Sequence, residues 1–182
     1  MKRLFLTSSL RRVIKDSVKH IKDHRDMSLV FITTASEVEG GNKQWMKDDR
    51  DALVEVGFKV VDYTITGKNE QQIKNDLNKF NVICFSGGNT LYLLEKIQES
   101  NCIEVIRDFV LDGKIYFGIS AGGLGLVDFI IFPHWGKKDF ESVYFNFRLK
   151  HAYTTNDKII LLTNYQYVRV EGDMYKIEEV EK

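Results

Sequence analysis

The chain has 182 residues, of which 43% are hydrophobic, and its 26 basic and 26 acidic side chains give a formal net charge of zero. This length suffices for one core and is short for two, so we predict a single domain over residues 1–182. The balanced charge argues against nucleic acid or an anionic membrane as a partner, and no segment approaches the roughly 20 apolar residues of a membrane span. Cys84 and Cys102 lie in apolar surroundings, which argues against a disulfide scaffold and favours the cytoplasm.

Short β-branched or aromatic runs alternate along the chain with longer segments of helical period. This alternation predicts an α/β fold with a mostly parallel sheet flanked by helices. The predicted strands are 4–7, 29–34, 59–65, 82–86 and 115–119. The predicted helices are 10–22, 42–56, 70–80, 90–99 and 103–111. Three later runs, 158–163, 165–170 and 174–180, predict closing strands that are at least partly antiparallel, with a hairpin turn at 171–173.

A serine lies between small residues at the end of the predicted strand 115–119, in the motif Gly118-Ile119-Ser120-Ala121-Gly122. This G-x-S-x-G pattern is typical of a nucleophile elbow, in which the serine backbone is strained and the hydroxyl stands clear of the sheet. A serine hydroxyl is a poor nucleophile until a neighbouring base removes its proton. The motif therefore predicts a base close to Ser120.

Two other strand ends carry residues that fit such a site. The turn Ser86-Gly87-Gly88-Asn89-Thr90 follows the predicted strand 82–86, and Pro133-His134-Trp135 places a histidine at a further strand end. Loops at the carboxyl ends of parallel strands converge at one edge of a sheet. The three segments together predict a serine hydrolase site in which His134 is the base for Ser120.

These segments resemble those of the dipeptidase E and cyanophycinase-like serine peptidases, whose fold is similar to that of class I glutamine amidotransferases. The resemblance covers most of the chain and rests on segments 4–8, 30–36, 86–94, 118–122, 123–129 and 133–134. It implies Ser120 as the nucleophile, His134 as the general base, and an oxyanion and substrate site at Gly87, Gly88 and Asn89 with the amide of Ala121. Members of the dipeptidase type cleave after an N-terminal aspartate, and the cyanophycinase type acts on an aspartyl-arginine polymer.

The resemblance also implies a third residue that orients the histidine. In the family this residue is acidic and lies either between the elbow and the histidine or in the turn that corresponds to 162–166, where this chain has Asn164. An asparagine can hold the tautomer of the ring, but it cannot stabilise an imidazolium by charge. The nearest carboxylates, Asp128 and Asp139, do not clearly match a family position.

A second departure from the family is the length of the segment after the elbow. Family members usually carry some tens of residues there, beginning with a helix, whereas here the elbow runs directly into Gly123-Leu124-Gly125-Leu126. Two functions therefore remain open. One is a serine peptidase that hydrolyses small peptides with an N-terminal aspartate, and the other is a catalytically impaired relative that acts as a binding or oligomerising module.

The expected partners follow from the same residues. The four histidines and two cysteines show no metal-ligand spacing, so we expect no metal and no cofactor. We expect a small peptide as substrate, with neither nucleic acid nor membrane as a partner. The late strand pattern also leaves exposed edges that could pair two copies in a homodimer.

Overall fold

The structure is a computed structural model that describes residues 1–120, 122, 124–155 and 157–182. Its strands are β1 (Arg3–Thr7), β2 (Ser28–Ile32), β3 (Lys59–Tyr63), β4 (Val82–Phe85), β5 (Ile115–Ile119), β6 (Phe129–Pro133), β7 (Lys158–Leu162), β8 (Gln166–Glu171) and β9 (Met174–Glu179). Its α-helices are α1 (Leu10–Ser17), α2 (Gln44–Glu55), α3 (Glu70–Leu77), α4 (Thr90–Ser100), α5 (Ile103–Leu111), α6 (Lys138–Val143) and α7 (Leu149–Ala152).

Most of the strands form a single sheet in the order β3-β2-β4-β5-β1-β8-β9. The strands from β3 to β1 are parallel, whereas β8 is antiparallel to β1 and β9 is antiparallel to β8. Strands β6 and β7 form a separate parallel pair. The prediction of a mostly parallel sheet with partly antiparallel closing strands is confirmed.

The core lies on both faces of the main sheet because consecutive side chains of a strand point to opposite faces. In β1, Leu4 and Leu6 belong to one buried cluster, which α3, α4 and α5 cover, while Phe5 belongs to the other, which α1 and α2 cover. All five residues of β5 are buried. This arrangement explains why the central strands are continuously apolar in the sequence.

The structure differs from the predicted elements mainly after residue 133. The predicted helix 10–22 ends at Ser17 and continues as a 3-10 turn over Val18–His20. Segment 138–152, to which the sequence analysis assigned no element, forms α6, a π-helical turn at Tyr144–Arg148 and α7. This segment covers a small separate cluster of buried residues, namely Phe132, Tyr144 and Ala152.

Among the helices in the described ranges, none has both the length and the apolar composition that crossing a bilayer requires.

Candidate active site

Ser120 directly follows β5 and has the left-handed backbone conformation of a nucleophile elbow, with φ of +53°. A non-glycine residue in this region costs on the order of 1–3 kcal/mol, so the surrounding structure must hold it there. One of the interactions that do so is a hydrogen bond of 2.8 Å, which the Ser120 N–H donates to the carbonyl of Thr7 at the end of β1. The half-buried Ser120 therefore sits where the two central strands end.

The glycines on either side of Ser120 are required by close backbone contacts. A Cβ atom on Gly118 would lie 2.5 Å from the carbonyl oxygen of Gly122, and one on Gly122 would lie 2.8 Å from the Cα of Gly118. The buried Tyr116 hydroxyl donates a hydrogen bond of 2.6 Å to that same Gly122 carbonyl. These contacts give the physical reason for the G-x-S-x-G spacing.

The glycine turn after β4 lies beside the elbow. A Cβ on Gly87 would lie 3.6 Å from the Cβ of Ser120, and one on Gly88, whose φ is +135°, would lie 2.2 Å from the carbonyl oxygen of Ala35. The Asn89 side chain accepts a hydrogen bond of 3.0 Å from the Tyr92 N–H and so caps α4. Within the described part of the chain, the N–H groups of Gly87 and Gly88 have no acceptor. The predicted oxyanion donor Ala121 lies outside the described residues.

His134 follows β6, has a φ of +63°, and is half-buried. Its Nδ1 lies 2.7 Å from Oδ1 of Asn164, in the turn between β7 and β8. Because an amide oxygen only accepts hydrogen bonds, Nδ1 carries the proton in the neutral ring and Nε2 keeps its lone pair. The structure thus brings together the predicted base and the residue predicted to orient it.

The pKa of His134 is lowered from its usual value, mainly because the ring is removed from water. The hydrogen bond to Asn164 acts in the opposite direction, and the positive charges of Lys137 and Arg148 lower the pKa further. The ring also stacks on Phe140, with 4.5 Å between the ring centroids. His134 is therefore a neutral imidazole at neutral pH, which is the form that a general base requires.

The end of β1 connects the two halves of the site. Thr7 accepts the hydrogen bond from the Ser120 N–H, and the next residue, Ser8, accepts one of 3.0 Å from the His134 N–H. The Ser8 hydroxyl in turn donates a bond of 2.9 Å to the Leu162 carbonyl at the end of β7. The Ser120 hydroxyl and the His134 ring share no hydrogen bond among those formed by described residues.

A cavity of about 740 Å³ opens next to Ser120. Its lining includes Gly118 and Thr7 from the main sheet, and Thr90 and Leu94 from α4. Three charged or titratable residues that line it could not be identified from the sequence pattern, namely Arg148, His151 and Asp157. They lie in or beyond the helical segment that the sequence pattern did not predict.

The two carboxylates closest to the elbow in sequence have other partners. Asp128 pairs with Lys158 at 2.5 Å, and Asp139 lies 3.7 Å from Lys137. Among the described residues, no cluster of three or more histidine, cysteine or acidic side chains could hold a metal ion. Among the described residues, the hydrogen-bond partner of His134 Nδ1 is thus Asn164 and neither of these carboxylates.

Comparison with known sequences identifies the family. The profile described as peptidase family S51 matches residues 4–123, which is more than half of the chain and includes the elbow. The chain belongs to peptidase family S51. The predicted resemblance to dipeptidase E is confirmed, and a peptidase is the coarse function that this membership supports. His134 and Asn164 lie beyond the matched residues.

Relatives in this family align with most of the chain. An uncharacterized peptidase of Pasteurella multocida (strain Pm70) is 27% identical over 200 aligned positions, which cover 95% of this chain and 95% of that protein. The alignment is longer than the 182 residues of this chain, so the relative has residues at positions where this chain has gaps. Peptidase E of Haemophilus influenzae is 31% identical over 130 residues, which cover 67% of this chain and 57% of that protein.

Solved structures show the same fold. A protein of Listeria monocytogenes EGD-e, described as a candidate peptidase E, has a TM-score of 0.87 and 24% identity over the full length of both chains. A peptidase from an acI-B1 actinobacterium has a TM-score of 0.72 and 16% identity, covering 99% of this chain and 88% of that one. The S51 fold is thus retained across the whole chain.

Proposed function

We propose that this S51 member is a serine peptidase that hydrolyses short peptides with an N-terminal aspartate. The observation that carries the proposal is the strained Ser120, which stands at the wall of the cavity beside the glycine turn. Strained backbone at a serine that directly follows a strand is typical of nucleophile elbows. The hydrogen bond between Nδ1 of His134 and Asn164 supports His134 as the base, because it leaves the lone pair on Nε2.

The proposed reaction proceeds through an acyl-enzyme. The Ser120 oxygen attacks the scissile carbonyl carbon while its proton passes to Nε2 of His134. The tetrahedral intermediate then collapses, the C–N bond breaks, and the imidazolium returns the proton to the leaving amine. A water molecule, deprotonated by the same nitrogen, releases the acid product and restores Ser120. For the first step the hydroxyl and the ring must approach each other when substrate binds, as catalytic hydrogen bonds often do.

The oxyanion of the intermediate needs backbone N–H donors that are already in place. Gly88 is our candidate because its N–H has no acceptor among the described residues and its turn packs against Ala35. Gly87 lies against Ser120 and leaves room for the substrate carbonyl. The amide of Ala121 is the proposed second donor, from its position directly after the nucleophile.

The preference for an acidic residue is supported by the charges around the cavity. Arg148 lines the cavity, and its described side-chain hydrogen bond is to the neutral hydroxyl of Tyr144, at 3.2 Å. Among the described carboxylates, none forms an ion pair with Arg148. A guanidinium without a carboxylate partner suits the side chain of an aspartate, and Asp157 offers a negative charge to the peptide's amino group.

The first test is the hydrolysis of aspartyl dipeptides and chromogenic aspartyl amides by the wild type and by Ser120→Ala, at neutral pH and without metal. We expect turnover by the wild type and none by the variant. Circular dichroism of both proteins provides the control for folding. Equal turnover by the two proteins would exclude Ser120 as the nucleophile.

The substrate preference has its own test. Arg148→Gln should lower kcat/KM for an aspartyl amide by about 10- to 100-fold, and should change that for the matching asparaginyl amide much less. Arg107→Gln is a matched control because Arg107 pairs with Glu104 on α5, away from the cavity residues. An equal loss of kcat/KM for both amides would show that Arg148 does not bind the acidic side chain of the substrate.

A second function is favoured by two observations. Ser120 and His134 are not hydrogen-bonded, and an asparagine stands where the family places an acid. A catalytically impaired S51 relative that binds peptides without cleaving them would show these features. Binding of an aspartyl peptide by the wild type, without turnover at any pH, would establish this alternative.

A further inference from the structure

Strand β6 borders the cavity along its entire length. All five of its residues, Phe129–Pro133, line the cavity. Alternate side chains of a strand point to opposite faces, so a cavity above one face would touch only every second residue. A cavity that touches five consecutive residues runs along the edge of the strand.

This edge of β6 has no partner among the described strands. β6 is paired with β7 on one side, and the two strands form a sheet of their own. The only proline of the chain, Pro133, ends β6, and proline within sheets is largely confined to edge strands. An unpaired edge offers backbone N–H and C=O groups at regular spacing to any extended chain that enters the cavity.

The edge leads to the candidate nucleophile. Ser120 and Gly118 line the same cavity as β6, and His134 is the residue that follows the strand. Five residues of a strand span roughly 15 Å at about 3.3 Å per residue, which is longer than a dipeptide. The side chains of β6 are apolar, while Arg148, Asp157 and Asp128, which is paired with Lys158, provide charges of both signs. The site thus combines a backbone template, an apolar wall and a place for charged groups.

We propose that the ligand of this cavity is an extended peptide of about four or five residues that pairs with the free edge of β6. Recognition is then mainly through the peptide backbone, with the acidic N-terminal residue at the charged wall and a peptide bond at Ser120. This proposal rests on the proposed function for the reaction, but it concerns binding and assigns a longer substrate than a dipeptide. Strand addition of this kind draws its affinity from main-chain hydrogen bonds.

The test is a series of peptides that begin with aspartate and are extended by alanine from two to six residues. Calorimetry with Ser120→Ala measures their affinity, and product analysis with the wild type measures kcat/KM. We expect affinity to rise at least about tenfold between the dipeptide and the pentapeptide and then to level off, because every second residue added contributes further backbone hydrogen bonds.

A second series distinguishes strand pairing from simple apolar contact. Single N-methylation is moved along the pentapeptide, which removes one N–H at a time. In a strand, alternate N–H groups point toward the partner, so methylation should weaken binding about tenfold at every second position and little at those between. A uniform effect along the peptide would overturn strand pairing.

The outcomes separate the binding proposal from the proposed reaction. Cleavage of the dipeptide with no effect of length would overturn the longer substrate and keep the peptidase. Length-dependent binding without cleavage by the wild type would keep the β6 site and overturn the peptidase. Neither binding nor cleavage, with protein shown by circular dichroism to be folded, would overturn both.

Discussion

In the proposed mechanism, Asn164 determines how far His134 can act as a base. In the neutral ring Asn164 Oδ1 accepts the Nδ1 proton at 2.7 Å, which fixes the tautomer that leaves Nε2 available. When Nε2 takes up a proton, the amide provides no negative charge to stabilise the imidazolium. Burial of the ring adds to this cost and lowers the pKa of His134.

The first prediction is that Asn164→Asp raises the pKa of His134 by about one unit or more, because a carboxylate beside the ring favours its charged form. The base works only when neutral, so activity is lost as pH falls through this pKa. The acid limb of kcat/KM should lie below about pH 6.5 in the wild type and move to higher pH in Asn164→Asp. Above that limb, kcat should rise at least about tenfold.

Asn164→Ala is the matched control for this prediction. It removes the acceptor without adding charge, so we expect kcat to fall on the order of 100-fold as the ring loses its fixed tautomer. A pH profile whose acid limb is the same in Asn164→Asp and in the wild type would show that Asn164 does not act through His134.

The second prediction concerns the packing of the elbow. Gly118→Ala places a methyl group 2.5 Å from a backbone oxygen, and backbone cannot move aside as a flexible side chain can. We expect a loss of about 2–3 kcal/mol in the free energy of unfolding, measured by urea denaturation. Gly40→Ala is the matched control, because nothing lies within 4 Å of its added Cβ. Similar midpoints for the two variants would contradict the close contact.

Gly87 gives a third prediction, in which activity and stability separate. A methyl group there makes only ordinary contacts, at 3.5 Å from Trp45 and 3.6 Å from the Cβ of Ser120. Gly87→Ala should therefore keep the free energy of unfolding within about 1 kcal/mol of the wild type while lowering kcat/KM about tenfold or more. Retention of full activity would show that the substrate does not use the space beside Gly87.

At the scale of elements, helix α1 begins without a side-chain cap from its own N-cap residue. Its N-cap residue Ser9 makes no side-chain hydrogen bond to the helix, and Asp49 of α2 instead accepts a bond of 2.8 Å from the Arg11 N–H. Asp49 is buried, and burial raises its pKa to about 6. One carboxylate thus both caps α1 and joins α1 to α2.

The fourth prediction follows from this buried carboxylate. Its folded-state pKa lies above the unfolded value of about 3.8, so its contribution to stability is fully present below that value and is lost as pH rises through about 6. Asp49→Asn keeps an oxygen acceptor for the Arg11 N–H but carries no charge. Between pH 4 and pH 7 its free energy of unfolding should improve by about 2 kcal/mol relative to the wild type.

Urea denaturation of both proteins across this pH range measures the difference. Asp49→Ala removes the cap as well as the charge, and should be less stable than Asp49→Asn at every pH by about 1 kcal/mol. A difference between wild type and Asp49→Asn that does not change with pH would contradict the raised pKa.

Some of these elements could be predicted from the sequence and others could not. The strands of the parallel sheet were predictable because they are continuously apolar runs between helices of clear period. Asp49 was missed, although it stands on the same helical face as the buried Ala52 and Leu53, three and four residues later. Segment 138–152 was missed because it alternates charged and aromatic residues and contains a π-helical turn, which shifts the period.

At the scale of the whole molecule, the resemblance to a known family predicted more residues of the candidate site than the local sequence pattern did. The elbow and the glycine turn follow from residues close together in sequence. The contact between His134 and Asn164 joins two strand ends thirty positions apart, so local pattern does not reveal it. The cavity and the free edge of β6 depend on which strands pair, and pairing is set by long-range packing. The predicted homodimer through late edge strands stays a prediction.

The catalytic candidates are divided between two sheets. Ser120 follows β5 of the main sheet, whereas His134 and Asn164 follow β6 and β7 of the small one. The described hydrogen bonds through Ser8 tie the small sheet to the end of β1. The small sheet packs on the main core through Phe129, Ile160 and Leu162. The helical segment 138–152 that follows His134 instead contributes its buried residues to the small separate cluster with Phe132. Alignment of the proposed nucleophile and base therefore depends on this small cluster as well as on the main core.

The fifth prediction is that warming inactivates the protein before the main sheet melts. The two tryptophans report on the two sheets separately: Trp135 follows β6 and packs on Tyr144, while Trp45 lies against Gly87 in the main body. In Trp45→Phe, the remaining emission should change together with the loss of activity, several degrees below the far-ultraviolet dichroism transition. In Trp135→Phe the emission should follow the dichroism. A single temperature for all three signals would mean that both sheets melt as one cooperative unit, whereas two temperatures would make Trp135 fluorescence a direct measure of local order at the candidate site.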